Sequence, residues 1–301
     1  HIVAEVGDDP NEISLEEARK IDPRYEVDDI VETEVTPRNF GRIAAQNAKQ
    51  VVVQRIREAE RGMVFEKFSS RENDIVTGII QRMENKNVYI DLGKAEAILT
   101  PNEQIPGEIY QYHDRMKTYI VEVKKTSKGP QIMVSRTHPG LLKRLFELEV
   151  PEIHDGLVEI KSVAREPGMR SKISVYTKDE NIDPVGACVG HKGMRVQTIV
   201  NELRGEKIDI VKYSSEPDQY VANALSPAKV VSTEVLEEEK ICRVIVPDYQ
   251  LSLAIGKEGQ NARLAAKLTG WKIDIKSESQ AAEEAEQGAQ EVGVAYEADE
   301  D

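Results

Sequence analysis

The stretch Val189–Ile210, VGHKGMRVQTIVNELRGEKIDI, returns 66 residues later as Ile255–Ile275, IGKEGQNARLAAKLTGWKIDI. Each copy holds an aliphatic residue and a glycine, two residues, a second glycine, an amphipathic helical run, a Gly stop (Gly205, Gly270) and a KIDI strand. Repetition over this length marks one structural unit used twice. Glycines three apart allow positive φ and a close approach by another backbone, which a Cβ would block. The helix that follows turns its unpaired N–H groups and positive dipole end towards the same point, a seat for phosphate. His191 and Lys192 in one copy, and Lys257 and Glu258 in the other, are expected to project outward, with Arg195, Asn261 and Arg263 reaching the same groove.

The chain has 301 residues and a formal charge of −14. Nine acids and no Lys or Arg fall within 278–301, which leaves −5 for the rest. Lys240–Lys276 is locally +4 and Val185–Tyr213 is +2. A polyanion site is therefore regional and compatible with an acidic total. The Ala-, Glu- and Gln-rich tail is expected to be disordered, because it has too little apolar surface to offset its ordering entropy. Cys188 and Cys242 sit inside apolar runs without partners at metal spacing and read as core residues of a reducing compartment. No membrane span or signal peptide is visible, so the expected location is cytoplasmic.

Upstream of the repeats the pattern changes twice. Ser14 and Glu17 have capping-box spacing, Ile30–Val35 alternates like a strand, and Phe40–Arg61 reads as a long helix. Ala44, Ala48, Val51, Val52 and Ala59 make its apolar side, and Arg42, Lys49, Arg55, Arg57 and Arg61 a basic one. DIVTGIIQRM, NVYIDLG, EAILT, TYIVEVKK and PQIMVS then follow a period of two with turn residues between, which predicts five short strands closing into a barrel. Around each G-x-x-G the predicted order is helix–strand–strand–helix–helix–strand. The short segment Lys212–Asp218 between the copies predicts a continuous platform.

The two copies resemble KH domains of the bacterial type, type II. In that family the G-x-x-G loop clamps about four nucleotides of a single strand. The resemblance places RNA contacts at Gly190, His191, Lys192, Gly193 and Arg195, and at Gly256, Lys257, Glu258, Gly259, Asn261 and Arg263. The barrel, GIIQRMENKNVYIDLGKAEAILTPNEQIPGE with IVEVKKTSKGPQIMVSR, resembles an S1 domain, an OB-fold that stacks bases on aromatics. Tyr89 stands at the family's stacking position, with Arg82, Lys86, Lys124, Lys125 and Arg136 around it.

FGRIAAQNAKQVVVQRIREAER and IGKEGQNARLAAKLTG, with one S1 and two KH units, resemble the NusA family of bacterial transcription elongation factors. That resemblance implies a multidomain α+β protein: a partial amino-terminal polymerase-binding domain over 1–68, S1 over 69–138, the KH domains over 139–212 and 213–277, and the acidic tail over 278–301. It implies contact with RNA polymerase core, through Arg42, Lys49 and Arg55, and with nascent single-stranded RNA. Other Nus-type factors are possible partners, and a monomer without cofactor, metal or membrane contact is expected. By the same resemblance the sequence is expected to lack the family's first amino-terminal helices and the carboxy-terminal acidic repeat domains of some members. An enzyme is not expected, since G-x-x-x-x-G-K-[ST], H-E-x-x-H and G-x-S-x-G are all absent and the five histidines are scattered. The alternative is a ribosome-associated or translation-related RNA-binding protein.

Overall fold

The computed structural model describes residues 1–6, 11–32 and 40–286. The chain divides into two compact units, His1–Ala59 and Glu60–Asp301.

In the first unit, β1 (Ile2–Val3) pairs in parallel with β2 (Ile13–Ser14), which leads into α1 (Leu15–Ile21). Ser14 caps this helix by accepting from the Glu17 N–H at 3.2 Å, as its spacing predicts. Ile2 and Ala18 are fully buried. The expected strand over Ile30–Val35 is not seen at residues 30–32, and its remainder lies outside the described residues. Helix α2 spans Phe40–Ser69, past its expected end at Arg61. The extension has a physical cause: Phe68 is buried in the core of the barrel, with Val64 and Phe65 packed against it. Earlier in α2 the expected apolar side is solvent-facing, with Val51 and Val52 each 56% exposed.

The second unit starts with the predicted barrel. Strands β3 (Ile75–Glu84), β4 (Asn87–Asp91), β5 (Glu96–Leu99), β6 (Arg115–Thr126) and β7 (Gly129–Ser135) close in the order β3-β4-β5-β7-β6, which leaves no free edge. Asn85 and Lys86 both take positive φ, the two-residue turn that matches the twist of β3 and β4. Inward residues of alternating strands, among them Ile80, Ile90, Leu99, Ile120 and Ile132, are wholly buried.

The two repeats then follow with one plan. The first comprises α3 (Pro139–Glu149), α4 (Pro151–His154), β8 (Glu159–Glu166), β9 (Arg170–Tyr176), α5 (Pro184–Val189), α6 (Met194–Glu202) and β10 (Lys207–Lys212). The second comprises α7 (Pro217–Ala224), β11 (Ser232–Leu236), β12 (Ile241–Val246), α8 (Leu251–Ile255), α9 (Gln260–Thr269) and β13 (Lys272–Ser277). In each three-stranded sheet the middle strand runs antiparallel to the strand before it and parallel to the KIDI strand.

The repeats share a seam. Ile173 and Val175 of β9 face the core of the first repeat, whereas Ala164 and Val211 on the opposite sheet face join the core of the second. The Tyr220 hydroxyl lies 2.9 Å from Ser174 Oγ and 3.1 Å from the Leu268 carbonyl, and Lys172 donates to the Ser226 carbonyl at 2.8 Å. The platform is thus continuous, as the short Lys212–Asp218 segment predicts. Cys188 and Cys242 are buried and unbridged, and burial pushes the Cys188 thiol up to about 12.

The tail departs from expectation. Residues 278–286 form a helix, α10, while 287–301 lie outside the described residues. Ser277 and Gln280 make a reciprocal capping box: the Gln280 N–H donates to Ser277 Oγ at 3.3 Å, and the Ser277 N–H to Gln280 Oε1 at 3.1 Å. Asp248 accepts from the Ser279 N–H and hydroxyl at 3.2 and 2.6 Å. These bonds supply the ordering that composition alone gave no reason to expect. Among the described residues no helix is long and apolar enough to cross a membrane.

Candidate nucleic-acid interface

The two G-x-x-G turns follow the same backbone path. Gly190 and Gly256 end α5 and α8 at φ 74°, ψ 177° and φ 78°, ψ 169°, a region that essentially only glycine occupies. Lys192 and Glu258 are left-handed at φ 51° and 54°, and Gly193 and Gly259 at 77° and 73°. Three positive-φ residues in four fold the chain back on itself, so that α6 and α9 begin at the loop. His191, Lys192, Lys257 and Glu258 are all exposed, as expected. A phosphate placed here would meet a helix start and the exposed side chains of His191 and Lys192, or of Lys257. Met194 beside the first loop (66% exposed), and Leu253 and Ile255 beside the second, add apolar surface on which a base can lie. Sequence reading gave Met194 and Leu253 no contact and counted Ile255 only as the aliphatic residue of the repeat, because an apolar residue next to a helix end is ordinarily core.

Three of the cations and amides assigned to this groove are occupied elsewhere. Arg195 bends back under Gly190, donating to the Ala187 carbonyl at 2.7 Å and to Glu152 at 2.9 Å. It braces the loop from behind. Asn261, at the matching place two residues after the second glycine, is buried and donates to the carbonyls of Leu225 and Ala254, each at 3.0 Å. Arg263 reaches across to the first repeat and pairs with Glu166 at 2.6 Å, while also donating to the Glu258 carbonyl at 3.2 Å. Gln260 takes the other Glu166 oxygen at 2.8 Å. Arg263 holds the Glu166 carboxyl below its usual range, although partial burial opposes this, so the pair is charged at neutral pH. Lys192 and Lys257 remain as the outward cations of the two loops.

The barrel surface is corrected as well. Arg136 does not line a groove: it is 1% exposed and clamps the barrel to the first repeat. It pairs with Glu108 and Glu202 and donates to the carbonyls of Lys117 (2.8 Å) and Glu202 (3.0 Å). Nothing local in MVSR, Met133–Arg136, signals this, since Glu202 lies 66 residues away. The Arg82 guanidinium lies 3.8 Å from the centroid of the Tyr89 ring and is itself paired with Glu96 and Glu84, each at 2.8 Å. One face of the expected stacking aromatic is therefore covered by a neutralised cation. Lys124 pairs with Glu122 at 3.0 Å, Lys125 lies over Phe65, and Lys86 sits exposed at the β3–β4 turn. On α2, Arg42 and Lys49 are exposed, and Arg55 pairs with Glu58 one turn on at 3.4 Å. Among the described residues no cluster of His, Cys, Asp and Glu could hold a metal ion.

Four family models match along the chain: the NusA N-terminal domain over 1–62, the S1 RNA binding domain over 69–135, the NusA-like first KH domain over 136–213 and the NusA-like second KH domain over 217–283. The transcription termination/antitermination protein NusA of Halalkalibacterium halodurans is 70% identical over 282 residues, which are 94% of this chain and 74% of that protein. The Bacillus subtilis protein of the same name is 69% identical, over 94% of this chain and 76% of its own length. The Thermus thermophilus protein is 46% identical, over 90% and 70%. With the barrel, the paired G-x-x-G loops and these relatives in view, the chain belongs to the NusA family.

Proposed function

We propose that the chain is a transcription termination/antitermination factor, without catalytic activity of its own, that holds nascent single-stranded RNA across its two KH units and contacts RNA polymerase core through its amino-terminal region. The observation that carries this reading is the pair of matched G-x-x-G turns on one continuous platform. Gly190, Gly193, Gly256 and Gly259 shape the backbone seats. His191, Lys192 and Lys257 meet phosphate, and Arg195 and Asn261 keep the loops in shape. The barrel, with Tyr89, Arg82, Lys86 and Lys124, adds a weaker RNA contact, while Arg42, Lys49 and Arg55 face the polymerase. Domain limits at 68, 138, 212 and 277 and a cytoplasmic monomer belong to the same reading. The names that the relatives carry support transcription over the translation-side alternative.

The test is RNA affinity. Replacing both Lys192 and Lys257 by Asp should weaken single-stranded RNA binding at least roughly tenfold. Loss of two phosphate contacts should also flatten the dependence of log affinity on log salt by about 1.4, at about 0.7 per contact on a single strand. Unchanged affinity and slope in a folded variant sink the assignment of the loops. Crosslinks from α2 to the polymerase core in an assembled elongation complex test the second contact, and their absence counts against it.

A further inference from the structure

The two sheets expose equivalent outer faces that meet different fates. Aligning the KIDI strands and their registers matches Lys172 with Arg243, Asp209 with Asp274, and Ser174 with Ile245. In KH1 this face is a helix-docking surface. KH2 lies on it, Lys172 is fully buried there, and Lys172 and Asp209 pair at 3.0 Å. In KH2 the same rows are Glu234–Arg243–Asp274 and Ser232–Ile245–Lys276, and among the described residues no other KH unit lies on them. Helix α10 lies there instead. Ala281, Glu284 and Ala285 form one wall of a groove of about 410 Å³ whose other wall includes Arg243, Ile245 and Lys276. Glu284 reaches Lys276 at 2.5 Å, and Lys276 also pairs with Asp274 at 3.6 Å.

We propose that the outer face of the KH2 sheet is a helix-docking site and that its resident occupant is the chain's own segment 278–286, an intramolecular cap. The shape of the contact defines what fits. Two alanines one turn apart allow close approach to the strands, and a carboxylate on the same side meets Lys276. The capping box at Ser277–Gln280 and the grip of Asp248 on Ser279 fix where this helix starts and aim it along the sheet. Burial is partial, so the cap is held largely by its tether, which supplies an effective concentration in the millimolar range. A competing acidic helix from a partner protein must displace it to reach the face.

Hydrogen exchange on the full chain tests this. Amides 281–286 should exchange at least tenfold more slowly than in a free synthetic peptide of residues 277–290. In a full chain carrying Asp248→Asn and Glu284→Lys, protection of 281–286 should fall to the free-peptide level and protection of β11 and β13 should drop, while residues 254–262 keep theirs. Lys276→Glu with Glu284→Lys, which reverses the pair, should restore protection relative to Glu284→Lys alone. The 277–290 peptide, added at submillimolar concentration, should bind the loosened chain saturably and the unaltered chain at least severalfold more weakly, because the tethered helix competes for the face. Free-peptide exchange of 281–286 in the unaltered chain overturns the cap. Failure of the peptide to bind the loosened chain overturns the docking face.

Discussion

At Gly190 and Gly256 the chain makes the same turn within a few degrees, yet what holds the turn in place differs. Behind the first loop stands a half-exposed arginine with a flexible stem, tied to Glu152 and one carbonyl. Behind the second stands a buried asparagine, tied to carbonyls of two helices, with its own Oδ1 unpaired. In front, Lys192 is answered by Glu258 at the same left-handed position. Duplicating a fold unit preserved the backbone conformation and let both its support and its charge diverge. The first loop is therefore the softer and more cationic of the two, and the second the stiffer and nearly neutral.

The comparison breaks most sharply at the leading glycines. A Cβ at Gly256 would lie 2.7 Å from the Asn261 backbone nitrogen, whereas at Gly190 it would meet the movable Arg195 side chain. Gly256→Ala should cost about 3 kcal/mol or more and Gly190→Ala about 1–3 kcal/mol, read by urea unfolding. Equal costs would mean that the two supports are equally stiff. Next come the braces. Asn261→Ala leaves buried carbonyls unpaired and should cost about 1–3 kcal/mol, whereas Arg195→Ala, from a partly exposed site, should cost about 1 kcal/mol or less.

Acid should separate the two units as well. Burial opposes ionisation of Glu206, but Arg165, the Gly168 N–H and Ser171 outweigh it and hold the carboxyl below its usual range. Asp209 is likewise held low against burial, by Arg170 and Lys172. Carboxyls lowered by folding contribute stability that is full above their ordinary values of 4.5 and 3.8 and is lost as pH falls through the lower folded values. KH2 has Trp271 where KH1 has Glu206, and a more open Asp274 for Asp209. KH1 amides should accordingly lose exchange protection at a higher pH than those of KH2. The smallest change sharpens the charge contrast: Glu258→Lys should raise RNA affinity roughly two- to fivefold at low salt, with the gain shrinking as salt rises.

Much of this was legible beforehand for identifiable reasons. Period-two runs separated by turn residues determine a barrel, because alternation is local, and the spacing of Gly190–Gly193 to Gly256–Gly259 exposes the repeat directly. Which way a long side chain points is not local. Arg136 and Arg195 look like groove cations until Glu202, Glu108 and Glu152 arrive from distant parts of the chain. The tail shows a different failure. Ser277-x-x-Gln280 carries the same capping signal as Ser14-x-x-Glu17, and this local signal prevails over an acidic composition that describes an average and not a particular turn.

Glu166 is held at once by Gln260 and Arg263, and so it connects the edge of one KH sheet to the loop of the next. A phosphate that draws Arg263 towards itself takes it from that carboxylate. Whatever free energy the phosphate gains in doing so is reduced by the strength of the grip it undoes, and reciprocity requires that tightening the seam between the units weakens the recruitment by the same factor. For a phosphate that seats at the second loop, this one carboxylate would couple the stiffness of the platform to that occupancy.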